Sequence, residues 1–104
     1  FNAATTAYTS SNEVSGTNYT AKGNAITTVT PTSSGTTAFV DMDNVVFTNV
    51  TLTGVRGALI FNEAASGDPT VCVLDFGGDK AASAGDFTVV MPTADSSNAI
   101  IRIA

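Results

Sequence analysis

The chain has 104 residues, 43% of them hydrophobic and 12% charged, with nine acids against four bases and a formal net charge of −5. That length suits one domain, because half of it could not bury a useful core without disulfides or metals. The bases Lys22, Arg56, Lys80 and Arg102 are scattered and form no stripe that could neutralise a phosphate backbone, which argues against nucleic acid as a partner.

Charged residues run at half the usual ~25%, so Thr, Ser, Asn and Gly supply the polarity, and the surface offers little repulsion to a neighbouring copy or a protein lattice. No apolar run nears the ~20 residues of a membrane-spanning helix, so no membrane partner is expected. The chain begins at Phe1 without an initiator Met, which reads as a processed product or part of a longer one.

No segment carries the apolar spacing of an amphipathic helix, whereas β-branched and aromatic residues recur in short runs between turn signals. Residues 1–23, rich in Thr, Ser and Asn, are expected to form an extended arm anchored by Tyr8, Val14 and Tyr19, with one β domain over residues 24–104. Ile26 to Thr30 is the first expected strand, the Pro31 to Gly35 cluster a turn, and Thr36 to Met42 a second strand closed by Asp43-Asn44.

Val45 to Thr53 follows, with Val46, Val50 and Leu52 expected on one face and Phe47, Asn49, Thr51 and Thr53 on the other. Gly54 and Gly57 suggest a bend or bulge. Ala58 to Phe61 and Val71 to Leu74 are apolar on both faces and are expected to form the central pair, joined by a hairpin loop over Glu63 to Pro69. Gly77 to Gly85 reads as a loop, Phe87 to Met91 as a strand ended by Pro92, and Ala99 to Ile103 as the last strand. About seven short strands at this spacing predict an all-β antiparallel β-sandwich or jelly roll with an extended N-terminal arm.

Candidate chemistry is sparse. There is no histidine, which removes the usual general base and the commonest metal ligand. Cys72 lies in the run Val71-Cys72-Val73-Leu74 and reads as a small buried hydrophobe. Asp41 and Asp43 are spaced to share a side of a strand and, with the Asn44 carbonyl, offer oxygens of the kind calcium takes, but both read more simply as turn formers.

Gly77-Gly78-Asp79-Lys80 lacks the spacing of a phosphate-binding loop. Asn18-Tyr19-Thr20 and Asn49-Val50-Thr51 are formal glycosylation triplets, common by chance in so Asn- and Thr-rich a chain. Asp75 and Asp79 are the acid/base pair an enzyme would need, without pattern support. Ile100, Ile101 and Ile103 make the terminal strand apolar on both sides, either as core or as contact with a neighbouring subunit. No catalytic, cofactor-binding or metal-ligating residue is assigned, and the chain is read as non-enzymatic with no cofactor.

Three stretches carry a resemblance. They are Ala7-Tyr8-Thr9 through Asn12-Glu13-Val14-Ser15-Gly16-Thr17-Asn18-Tyr19-Thr20, Arg56-Gly57-Ala58-Leu59-Ile60-Phe61-Asn62, and Val73-Leu74-Asp75-Phe76-Gly77-Gly78-Asp79. With the ending Asn98-Ala99-Ile100-Ile101-Arg102-Ile103, the chain resembles small virion structural proteins of tailed bacteriophages over nearly its whole length. Members of that group carry a further segment before the Ala-Tyr-Thr stretch.

The resemblance implies a capsid decoration or cement protein on the outer surface of the head. Its expected partners are the major capsid protein and neighbouring copies of itself, as a homo-oligomer that stabilises the capsid. The alternative it leaves open is a tail or tail-fibre component, an adhesin-like module stacking host glycans on Tyr8, Tyr19 or Phe39.

Overall fold

A computed structural model describes residues 1–104. Its elements are all strands: β1 (Thr32–Ser34), β2 (Thr37–Val40), β3 (Val45–Phe61), β4 (Thr70–Val89) and β5 (Ile101–Ile103). They form two antiparallel sheets, one of three strands in the order β1-β2-β5 and one two-stranded ribbon of β3 and β4. The molecule measures 44 × 29 × 24 Å, long because the ribbon strands run to 17 and 20 residues.

The expected central pair lies in this ribbon, with Ala58 opposite Leu74, Leu59 opposite Val73 and Ile60 opposite Cys72. A hairpin loop joins its strands, closed by the Asn62 N–H donating to the Pro69 carbonyl at 2.9 Å. Asn62 Oδ1 also accepts from the Ala64 N–H, an Asx turn that sets the chain's reversal.

Five strands stand where about seven were expected, and the difference has two sources. Val45 to Thr53 and Ala58 to Phe61 are parts of one strand, and Gly77 to Gly85, expected as a loop, is the middle of β4. Short runs fuse because bulges absorb the irregular residues. The register slips at Asn49 (φ 51°) and Gly54 (φ 65°) on β3, and around Ala84 (φ 46°) and Gly77 (φ 74°) on β4. Each extra residue in the left-handed region kinks the strand without ending the ladder. The second source is Ile26 to Thr30, which makes only one bridge, Thr28 to Met42, and no strand. Against these losses the Pro31 to Gly35 cluster, expected as a turn, contributes the short strand β1, paired with β2 around the turn at Gly35, which brings the count to five.

Each bulge also exchanges the two faces of a strand, since side chains alternate with a period of two. Val45 and Phe47 point inward before Asn49, and Val50 and Leu52 after it. Val46, expected beside Val50 and Leu52, is therefore turned outward and 44% exposed.

Two clusters make the core. Met42, Val45, Ile60, Val89 and Met91 pack with Ile26, Ile100 and Ile101 where β5 and the ends of the ribbon meet. Val50, Leu52 and Val55 form the second cluster further along the ribbon, covered by Val14 and Tyr19. Phe47, Phe76 and Phe87 touch both clusters and connect them.

Gly57 is required where β3 passes close against Leu74 of β4. A Cβ there would stand 2.4 Å from the Leu74 carbonyl oxygen, nearer than any real contact allows.

Candidate functional site

Residues 1–23 lie along the ribbon and are tied to it at both ends. The Thr70 N–H donates to the Thr6 carbonyl at 3.0 Å, and the Tyr8 N–H to the Asp68 carbonyl at 2.9 Å. Further along, the Thr51 N–H donates to the Thr17 carbonyl at 3.2 Å, and Asn18 Nδ2 to the Asn49 carbonyl at 2.8 Å. Gly16 permits this contact, because a Cβ there would fall 2.0 Å from the Thr51 carbonyl oxygen.

One carboxylate organises the segment. Glu13 Oε1 accepts from the Tyr19 hydroxyl at 2.8 Å and from the Lys22 backbone N–H at 2.7 Å, while Oε2 accepts from the Tyr8 hydroxyl. Partial burial pushes the Glu13 carboxyl up, but the hydrogen bonds from the two tyrosines and from Lys22 outweigh it and hold the group below the usual carboxylate range. The Tyr19 hydroxyl is pushed well up by burial and by Glu13, and the Tyr8 hydroxyl is pushed up chiefly by its bond to Glu13. Both phenols therefore stay protonated and remain donors across the ordinary pH range.

The rings complete the attachment. Tyr8 stacks on Phe61 at 4.8 Å between centroids, and Tyr19 tilts against Phe47 at 5.6 Å. Lys22 Nζ lies 2.9 Å from Asp68 Oδ2 and 3.1 Å from Glu63 Oε1 in the hairpin loop, and 5.4 Å from the centre of the Tyr8 ring. Asp68 first and Glu63 second raise the Lys22 ammonium above its ordinary value.

Between this segment and the inner face of the ribbon is a cavity of about 660 Å³, lined by Val14, Tyr19, Phe47, Leu52, Val55 and Phe76 among others. Its size falls within the range of small-molecule sites, but Glu13, Tyr8, Tyr19 and the Lys22 N–H on its wall are already bonded to one another. Glu13, with three donors on its two oxygens, fastens residues 8–22 together.

The residues singled out in the sequence are dispersed. Asp41 is buried and Asp43 exposed, so the two do not face one space. Asp41 Oδ1 accepts from the Met42 N–H at 2.8 Å, while Oδ2 is buried without a partner. Asp75 Oδ1 accepts from the Gly77 N–H at 2.8 Å, and Asp79 pairs with Arg56 at 3.1 Å, so these carboxylates serve the strand and a cross-strand ion pair.

Lys80 lies opposite Val55 on the ribbon. Cys72 packs beside the first cluster, and burial pushes its thiol up, away from the reactive thiolate. Phe39 is half-buried opposite Arg102. Ile100 and Ile101 pack on the core, whereas Ile103 is exposed.

Glu13 and Lys22 were not singled out in the sequence. The only signal was their placement among the anchoring tyrosines, an acid between Tyr8 and Tyr19 and a base after them. No family model, no curated protein and no solved structure matches the chain.

Proposed function

We propose that the chain is a non-enzymatic structural protein of a tailed-phage particle, a decoration or cement protein that binds the major capsid protein lattice and stabilises the head. The resemblance of the three sequence stretches motivates this reading. The observation that carries it is the ribbon of β3 and β4, a long and weakly charged scaffold with residues 1–23 strapped along it and apolar surface left on its faces. Such a body suits mechanical bridging between neighbours on a lattice.

In the same reading the three-stranded sheet and the ribbon are the two layers of a β-sandwich, with the Met42, Val45, Ile60, Val89 and Met91 cluster between them. The head is favoured over the tail because Tyr8 and Tyr19 are committed within the chain. Tyr8 has one face on Phe61, and both hydroxyls are on Glu13, which leaves little of either ring as a platform for sugars.

The test is quantitative mass spectrometry on purified heads and separated tails of the phage that encodes the chain. Abundance in heads near that of the major capsid protein is the expected result. A few copies confined to tails would replace this reading with the tail component.

A further inference from the structure

The ribbon is unfinished along one side. From Val71 to Val89, β4 pairs with β3 alone, and its other edge has no strand or loop hydrogen-bonded to it. Two-stranded ribbons are marginal in water, and a row of free N–H and C=O groups is a template for another strand.

Two quantities indicate how much is missing. The chain exposes 6523 Å², whereas a folded monomer of its 10.5 kDa exposes about 5,400 Å². The excess, about 1,100 Å², is of the size that one partner gives to a stable interface, about 800 Å². Backbone pairing tells the same story, with 38 backbone hydrogen bonds where a chain of this length makes about 70.

We propose that the open edge of β4 is a self-association surface, on which β4 of a second copy pairs antiparallel about a two-fold axis to give the sheet β3-β4-β4-β3. A strand meeting its own copy antiparallel is two-fold by construction, so one patch serves both partners and the assembly closes at two. Gly77 and Gly78 bring no side chain to the middle of the edge, and a Cβ on either would meet nothing within 4 Å. The Gly77 N–H is taken by Asp75 Oδ1 in the bulge, so pairing falls to the regular runs of β4 on either side of it.

Apolar side chains flank that bare centre. Val71 near the start of β4 is 44% exposed, and Val90 just past its end is 73% exposed. The charges along β4 are few, Asp75, Asp79 and Asp86 against Lys80, and Asp79 is already paired with Arg56, which limits the repulsion between copies. The inference names a partner and a surface for the structural role above and takes only its biological setting from that reading. Its readout, the oligomeric state of the isolated chain, does not depend on where the protein lies in a particle.

The experiment is size-exclusion chromatography with light scattering on the 104-residue chain from about 10 µM to about 500 µM, with circular dichroism as a check on folding. The variants are Val71→Lys/Val90→Lys, both at exposed positions that leave the core alone, and Ala81→Lys, exposed near mid-strand. The expected result is a dimer that each variant weakens at least about tenfold in Kd, with unchanged spectra. A monomer throughout overturns the proposal and leaves the edge to a different protein. A dimer with the same Kd in both variants overturns it by placing the contact on another face, and open-ended assemblies overturn the two-fold.

Discussion

The Tyr19 hydroxyl donates to Glu13 Oε1 at 2.8 Å while its ring leans on Phe47, so one side chain joins the N-terminal segment to the ribbon by both a polar and an apolar contact. Glu13 also holds Tyr8 and the Lys22 backbone, which makes it the point on which residues 8–22 are closed.

Replacing that carboxylate should loosen the segment. Glu13→Ala is expected to cost about 1–3 kcal/mol, because it leaves a partly buried tyrosine hydroxyl without its acceptor. Urea unfolding measures the loss, and limited proteolysis should show cleavage within residues 1–22 before the ribbon is cut. Equal protection in variant and parent would mean that the apolar contacts hold the segment unaided.

Acid should do the same reversibly. The folded pKa of Glu13 lies below its ordinary value of 4.5, so its contribution is complete above that value and fades as pH falls through the lower folded one. Protease sensitivity of residues 1–22 followed from pH 7 to pH 3 should rise in that window in the parent. Glu13→Gln should lack this component, and an identical acid profile in both chains would refute it.

The exchange of faces at Asn49 makes a paired prediction. Leu52, 2% exposed, should cost about 2–4 kcal/mol on truncation to Ala. Val46→Thr, on the outward face, should stay within about 0.5 kcal/mol. Chemical denaturation of both variants decides it, and similar losses would mean that the two residues share a face after all.

Glycine positions should separate by the space around them. Gly57→Ala drives a methyl group into the Leu74 carbonyl and is expected to destabilise by about 2 kcal/mol or more. Gly85→Ala meets only the Ser83 carbonyl oxygen at an ordinary 3.7 Å and should change stability by less than about 0.5 kcal/mol. Thermal unfolding of the pair is the measurement.

Asp41 is 1% exposed and has one carboxylate oxygen without a partner. Asp41→Ala removes the acceptor of the Met42 N–H, so it is expected to cost about 1–3 kcal/mol. Chemical denaturation checks it, and unchanged stability would mean that the Met42 N–H finds another acceptor.

The sequence by itself determined the strand character of the chain, the pairing of Ala58 to Phe61 with Val71 to Leu74, and the loop between them. These follow from local pattern: apolar β-branched runs have a period of two, and Asn, Gly and Pro mark the reversal. It also marked Gly54 and Gly57 as an irregularity, which Gly54 meets by taking up the left-handed backbone without strain and Gly57 by having no side chain where Leu74 comes close.

Only the tertiary structure decided that the ribbon continues through Gly77 to Gly85, that Val46 faces outward, and that Glu13 gathers Tyr8, Tyr19 and Lys22. A bulge is fixed by the register of the opposite strand, and residues such as Asn49 and Ala84 enter the left-handed region because the ladder on either side holds them there. The Glu13 cluster likewise depends on Phe47 and Phe61 of β3 being brought beneath the two tyrosines, which is a property of the folded chain and of no single segment.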